Sequence, residues 1–299
     1  TGEQMAVVAV GGYGRGELAP FSDVDLLFLH SYKRTPYVEQ MVETLLMKLY
    51  DLGLTLGPAT RSVRECVKLA RDDLSVATAL LEARLIWGDR NLFDELRRAF
   101  EREVIAGREA ELVEAKLAER DKRHDRFLDS RYLLEPNIKE GKGGLRDLHT
   151  LVWIGRFLYR IDDVADLVRH EVLSRRDLAT FRISRRFLWA VRCHLHYLTN
   201  RAEERLTFDR QPEIARRMGY RDRRGARDVE RFMKHYYLVA KNVGALTRVV
   251  CAALEEKNKR KPRFGLPRFG FGRRRLNGFI VQASTWSSPT CSSGGRSRC

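Results

Sequence analysis

Two aspartates separated by one residue, Asp23 and Asp25, precede an apolar run in the string "SDVDLLFLH". This run, residues 25–30, predicts a buried β-strand. Because residues i and i+2 of a strand point to the same face, we expect the two carboxylates to lie side by side and to repel each other. A divalent cation relieves such repulsion. Mg²⁺ is the cation that this pattern favours, because it binds oxygen ligands and shares its remaining positions with substrate phosphates.

A glycine cluster lies between these acids and the preceding run, "MAVVAVG", which predicts another strand. Gly11 and Gly12 let backbone N–H groups approach an anion closely, Arg15 can donate two hydrogen bonds to a phosphate, and Ser22 offers a hydroxyl beside the acids. Taken alone, the glycines are better explained by a tight loop. Their spacing matches neither a dinucleotide-binding turn nor a P-loop. Together with the acids, they predict a triphosphate beside a metal ion.

The elements that must position these residues occupy the first 95 residues, which alternate predicted strands and helices. A helix is predicted over "TPYVEQMVETLLMKLYDLG", with Thr35 as its cap, Pro36 in its first turn and Gly53 at its end. A third strand is predicted over "LTLGPATR", broken at residues 57–58. The segment "SVRECVKLARDDLSVATALLEARLIWG" is expected to be helical, as one helix or as two pieces. The pattern predicts a small mixed-sheet domain over residues 1–95.

Residues 96–256 are predicted to form an all-α domain, because long segments rich in Arg, Glu, Leu and Ala contain few Pro or Gly. The predicted fold class is therefore α+β. Residues 257–299 contain 11 Lys and Arg side chains and no acidic one, and the last part is rich in Ser. We expect a disordered basic tail there, because such a composition buries too little apolar surface to offset its ordering entropy.

Composition narrows the functional classes. The net charge is +16, but the tail contributes most of it, so nucleic acid is not the favoured partner of the folded part. No apolar run reaches the length of a membrane-spanning helix, and no signal peptide is recognised. The five cysteines are widely spaced, without a Cys-x-x-Cys pair, which predicts neither a zinc site nor a disulfide framework. A cytoplasmic location is the expectation.

A second turn-rich motif, "EPNIKEGKGGLRDLHT", interrupts the helical part. Lys139, Lys142 and Arg146 surround its glycines, and a helix is predicted to begin after them. A basic, glycine-rich loop at a helix N-terminus can bind an anion. A packed interdomain loop whose charges pair with the acidic first domain explains the same residues equally well. Asp147 suits the first turn of that helix without any function.

Both motifs resemble those of the bacterial PII uridylyltransferase/uridylyl-removing enzymes, within the polymerase-β-type nucleotidyltransferase superfamily. The resemblance rests on "GGYGRGELAPFSDVDLLFL" and "EPNIKEGKGGLRDLHTLVWIGRF", with support from "VATALLEARLIWGD" and "LTFDRQPEIARRMGYRD", and covers about residues 5–256. It implies transfer of UMP from UTP to a tyrosine of the PII nitrogen-signalling protein, with release of pyrophosphate. It also implies that Asp23 and Asp25 hold two Mg²⁺ ions and that Gly11, Gly12 and Ser22 bind the triphosphate.

The resemblance is to part of that family's length. No segment resembles the family's HD phosphohydrolase domain or its two ACT domains, so we expect a partial chain whose last residues, 281–299, are a frameshifted or spurious end. His124 and Asp125 form a His-Asp doublet, but an exposed helical pair explains it better. Adenylyl transfer to glutamine synthetase is a rival activity, and a catalytically dead module that binds PII or RNA is a rival class.

A third carboxylate is usual in the superfamily, and the predicted third strand contains none. Asp51 and Glu82 are the weak candidates. For Asp51 we prefer the structural explanation that it ends its helix. For Glu82 we prefer an ion pair with Arg84 or with a neighbouring helix.

Overall fold

A computed structural model describes residues 4–31, 35–126 and 133–259 of the chain. Residues 1–256 form one compact unit, and the second unit, residues 257–299, lies almost wholly outside the described residues. The predicted disorder of the tail therefore lies outside them as well. The predicted division at residue 95 stays a prediction.

The fold is α+β, as predicted. The described ranges contain four strands, β1 (Met5–Ala9), β2 (Val24–His30), β3 (Leu56–Ser62) and β4 (Arg84–Gly88). The helices up to the sixth are α1 (Gly11–Gly14), α2 (Pro36–Asp51), α3 (Val63–Asp72), α4 (Leu74–Leu81), α5 (Arg90–Phe100), which continues into a π-helical turn (Glu101–Ile105), and α6 (Glu109–Arg126). The remaining helices are α7 (Leu145–Tyr159), α8 (Asp166–Arg169), α9 (Arg175–Thr199), α10 (Gln211–Arg217) and α11 (Asp228–Lys259).

The four strands form one mixed sheet in the order β3-β2-β1-β4. Strand β1 is antiparallel to both β2 and β4, and β2 is parallel to β3. Alternate residues of the central strands face opposite sides, as the period of two requires. Val7 and Phe28 join a cluster that α2 covers, whereas Val8 and Leu27 join the main core that continues into the helices after β4.

Local signals determine α2 as predicted. Thr35 accepts a hydrogen bond from the Val38 N–H, and Pro36 occupies the first turn. Beyond the last turn, Gly53 has φ +75°, a conformation that glycine adopts without strain. Side-chain capping and a positive-φ glycine act within a few residues, which explains why the sequence predicts these two ends well.

Two expectations about the sheet are wrong. Strand β3 runs through Gly57 and Pro58 without a break, because it lies at the sheet edge, where a missing N–H is tolerated. Residues 84–88 form β4 rather than the end of a helix, although the predicted two helical pieces before them are confirmed as α3 and α4. Pairing with β1 decides the conformation of β4, and no local signal records that pairing.

The glycine cluster also differs in detail from a plain loop. Gly11–Gly14 form a single helical turn, closed by the Gly14 N–H donating to the carbonyl of Val10.

No helix within the described ranges has the length and the apolar content needed to cross a membrane.

Candidate active site

Asp25 is the second residue of β2, and Asp23 immediately precedes that strand. Asp25 is half-buried and Asp23 is exposed. Burial raises the pKa of Asp25, and the neighbouring charge of Asp23 raises it further, whereas Lys139 and Arg15 oppose the shift. Within the described part of the chain, no donor makes a hydrogen bond to either carboxylate. The charges of Lys139 and Arg15 therefore oppose the negative charge of the pair from a distance, and no described side chain binds it directly.

Two glycines make room for the Asp25 carboxylate. A Cβ at Gly11 would stand 2.8 Å from Oδ2, and a Cβ at Gly57 would stand 2.6 Å from Oδ1. Both separations are shorter than van der Waals contact allows. Gly57 is the residue that pairs with Asp25 in the β2–β3 ladder. Gly57 is thus a site residue that the sequence did not single out, since only the strand register places it there.

A cavity of about 760 Å³ unites the two sequence motifs. The predicted site residues that line it are Gly11, Gly12, Arg15, Ser22, Asp23, Asp25, Lys139 and Arg146. Lys142, the remaining predicted residue, is not part of this wall. Residues 11–25 and the loop before α7 therefore line one cavity, although they lie more than 100 residues apart in the chain.

The two basic residues that the second motif contributes to the wall have different surroundings. Arg146 forms an ion pair with Glu140 at 2.9 Å. Burial lowers the pKa of the Lys139 ammonium, and the charges of Arg146 and Arg192 lower it further. Among the described residues, the Lys139 ammonium makes no hydrogen bond or ion pair, and it lies near enough to Asp25 to lower the pKa of that carboxyl. Lys139 is thus a cation available to an anionic ligand.

Helix α9 supplies a wall residue that the sequence did not indicate. Arg192 is buried, and its guanidinium binds the Glu204 carboxylate through Nε at 3.0 Å and Nη2 at 2.7 Å. Nη2 also donates to Ser22 Oγ at 3.2 Å. Arg192 therefore connects the helical part of the chain to the residue next to Asp23. Because Arg192 lies 170 residues after Ser22 in the chain, no local sequence pattern indicates this contact.

The glycine turn is held in a similar way. Arg15 forms an ion pair with Glu82, whose side chain is 1% exposed. The Glu82 carboxylate also accepts a hydrogen bond from the Trp153 Nε1–H at 2.6 Å. Of the two alternatives for Glu82, a partner on a neighbouring helix is confirmed, and an ion pair with Arg84 is wrong. Arg84 instead donates to the carbonyl of Tyr13 at 3.1 Å.

The His-Asp doublet corrects another expectation. Asp125 is exposed, but His124 is buried, and its Nε2 lies 2.9 Å from Asp147 Oδ1. Arg123 Nη2 donates to the same oxygen at 2.5 Å, and the Gly143 N–H donates to Oδ2 at 2.8 Å. The dipole explanation for Asp147 is therefore incomplete, because this side chain ties α6 to the loop before α7.

The described residues contain no group of three His, Cys, Asp or Glu side chains that could hold a metal ion. Asp51 is exposed at the end of α2, as its structural explanation requires, and Glu82 is committed to Arg15 and Trp153. Two carboxylates without donors fit a hard cation that takes its remaining ligands from a phosphate-bearing substrate and water. The donor set of Asp23 and Asp25 is of that kind.

Comparison with known proteins gives the family. A sequence model described as GlnD PII-uridylyltransferase matches residues 111–251. The bifunctional uridylyltransferase/uridylyl-removing enzyme of Azospirillum brasilense is 58% identical over 283 residues, which are 94% of this chain and 30% of that protein. The chain belongs to the PII-uridylyltransferase family. The protein of the same description from Rhodospirillum rubrum is 58% identical over 280 residues. The chain thus spans about a third of the length of these curated relatives.

Membership of the PII-uridylyltransferase family agrees with how the two motifs are arranged. The family match begins within α6 and ends within α11, so it contains the loop before α7, Arg192 and the Asp147 cluster. The aspartate pair precedes the matched range and lies within the stretch that the full-length relatives cover. Both parts contribute side chains to the same cavity.

Proposed function

We propose that this chain carries the nucleotidyl-transfer site of a uridylyltransferase, which transfers UMP from UTP to a tyrosine of the PII signalling protein. The observation that supports this most is the uncompensated Asp23–Asp25 pair in a cavity that also contains the glycine turn and Lys139. The relatives are named for uridylyl transfer and uridylyl removal, and the family description names PII as the target. The cytoplasm is the compartment we propose, since the three described cysteines are free.

In the proposed reaction, a bond forms between the tyrosine oxygen and the α-phosphorus of UTP. The bond from that phosphorus to the bridging oxygen breaks, pyrophosphate leaves with the electron pair, and the hydroxyl proton passes to solvent. Asp23 and Asp25 would hold Mg²⁺, as two ions if the family resemblance is followed. The metal would neutralise charge on the triphosphate and lower the pKa of the attacking hydroxyl.

The protein's own residues orient the triphosphate. Gly11 and Gly12 let the backbone of the turn approach phosphate oxygens, because neither has a side chain in the way. Arg15 can offer guanidinium N–H groups to a phosphate from its ion-paired position, and Lys139 can place a positive charge opposite the aspartates. Ser22 is oriented by its bond from Arg192. These contacts hold the reacting groups in line, which is most of what phosphoryl-type transfer needs from a protein.

Incubation of the chain with PII, Mg²⁺ and labelled UTP or ATP tests this function. We expect label from UTP to appear on PII, and we expect D23N combined with D25N to abolish it. Preferential incorporation from ATP would replace uridylyl transfer by adenylyl transfer. UTP binding that is equal in the wild type and the double variant, with no transfer in either, would identify a binding module instead.

A further inference from the structure

Helix α7 presents two side chains, one turn apart, to the wall of the cavity. His149 and Trp153 are separated by four residues and therefore lie on the same face of the helix. His149 Nε2 lies 3.0 Å from Glu17 Oε2, and the Trp153 Nε1–H donates to Glu82 Oε1 at 2.6 Å. Each contact joins α7 to a carboxylate more than 70 residues earlier in the chain.

Both carboxylates hold the same guanidinium. Arg15 Nη1 forms an ion pair with Glu82, and Arg15 Nε lies 3.3 Å from Glu17 Oε2. The Arg15 Cζ also lies 5.9 Å from the centre of the Trp153 ring, within the range of a cation–π contact. Arg15 is therefore fixed by two acids, each of which is fixed in turn by a residue of α7.

The turn that bears Arg15 is packed against the same support. A Cβ at Gly14 would stand 2.2 Å from the carbonyl oxygen of Glu82, so the turn and residue 82 are in direct backbone contact. Arg84 anchors the turn further through its bond to Tyr13. Any movement of Glu82 would therefore displace both the guanidinium and the glycine turn.

The protonation states suit this arrangement. Burial lowers the pKa of His149 to about 4, with a further contribution from the Arg15 charge, so the ring is neutral at neutral pH. Burial alone would raise the pKa of Glu17, but the bond from His149 and the charges of Arg15 and Arg185 lower it, so Glu17 is ionised. A neutral His149 donates its Nε2–H to an ionised Glu17, which in turn holds the Arg15 guanidinium in the wall of the cavity.

We propose that His149 and Trp153 are positioning residues for a polyphosphate ligand, because they hold Glu17 and Glu82 and thereby set the direction of Arg15. The site is incomplete without α7, so residues 1–95 cannot bind the ligand at full strength alone. This inference rests on the proposed function in that the natural ligand is a nucleoside triphosphate. It adds that His149 and Trp153 act on the affinity for the phosphates through Glu17 and Glu82.

Titration calorimetry on the full chain tests the inference with two probes, Mg²⁺–UTP and Mg²⁺–inorganic tripolyphosphate. We expect H149A and W153F each to raise the dissociation constant for both probes about tenfold, because a misdirected guanidinium loses a charge-assisted contact worth about 1.4 kcal/mol. H149Q keeps an N–H donor near the position of Nε2 and should restore most of the affinity.

Two matched controls lie elsewhere. His194 is on α9 and Trp87 is on β4, and neither lines this cavity. H194A and W87F should bind both probes with wild-type affinity. Calorimetry also separates positioning from folding, because a partly unfolded variant lowers the number of binding sites, whereas a misdirected Arg15 raises the dissociation constant at unchanged stoichiometry.

The results distinguish this inference from the proposed function. Wild-type dissociation constants in both H149A and W153F would overturn the positioning role. A wild-type chain that binds tripolyphosphate as tightly as UTP and transfers no UMP would overturn the uridylyl proposal, and the variants would still decide the positioning role. A wild-type chain that binds neither probe would overturn both.

Discussion

Asp25 and Asp147 are the same residue type near the start of an element, yet their surroundings are opposite. Burial and the charge of Asp23 raise the pKa of Asp25, and no described donor makes a hydrogen bond to it. Burial would raise the pKa of Asp147 too, but the bond and charge of His124, the charge of Arg123 and the Gly143 N–H outweigh it. A carboxylate left without partners beside a cavity is suited to a ligand, whereas a saturated one serves the fold.

The largest expected effect is on the reaction, from D25N. Removing this charge should lower the rate of UMP transfer about 1000-fold, since charge stabilisation by a bound metal is worth several kcal/mol. The unfolding midpoint should stay the same or rise, because the repulsion from Asp23 disappears. Transfer assays and thermal unfolding measure the two quantities. A D25N protein that is less stable than the wild type would contradict the assignment of Asp25 as uncompensated.

The next largest effect is on stability, from D147N. Arg123 would lose its close carboxylate partner inside the protein, which costs about 3 kcal/mol in the free energy of unfolding. Urea titration measures this loss. D125N, on the exposed neighbour of His124, is the matched control and should change stability little. Equal stability of D147N and D125N would contradict the role of Asp147 in stabilising the fold.

A smaller effect is expected from G57A, which adds a methyl group against Asp25 Oδ1 without changing any charge. The carboxylate must shift away from the added methyl group and from its position at the cavity, so we expect about tenfold weaker binding of Mg²⁺–UTP, about 1.4 kcal/mol. P58A, on the exposed neighbouring residue of β3, should bind normally. Unchanged affinity in G57A would show that the glycine pair does not set the carboxylate position.

The smallest expected effect is on how the free energy of unfolding depends on pH, and its sign is opposite for Asp147 and Asp25. Because the pKa of Asp147 is lowered in the folded protein, its charge stabilises the fold. This stabilisation is complete above the pKa of an unfolded aspartate, about 3.9, and is lost as pH falls below that value. The raised pKa of Asp25 means that its ionisation destabilises the fold at neutral pH, and this penalty disappears as pH falls toward 3.9.

Unfolding free energies of the wild type, D147N and D25N between pH 3 and pH 7 measure both signs. Below about pH 4, the unfolding free energy of D147N should approach that of the wild type. Any excess in the unfolding free energy of D25N over the wild type should shrink as pH falls toward the same value. A deficit of D147N that persists unchanged at pH 3 would mean that packing, rather than its charge, accounts for the role of Asp147.

Much of this molecule was predictable from local patterns. The strand β1, the capped helix α2 and the aspartate pair at the start of β2 each depend on residues within a few positions of one another. The α+β class follows from the same patterns, and it is confirmed. Expectations failed where a distant strand or helix decides the outcome. Pairing with β1 makes residues 84–88 a strand, and contact with Asp147 buries His124.

The amino-acid sequence by itself determined the chemical groups: two adjacent carboxylates, a glycine turn with one arginine, and a basic loop before a helix. The tertiary structure alone decided which carboxylates remain unpaired and which side chains support the turn. The physical reason is that the pairing of a carboxylate and the direction of its pKa shift depend on the donors and charges within a few ångströms. For Asp25 and Glu82, these include the charge of Lys139 and the N–H of Trp153, which lie 114 and 71 residues later in the chain.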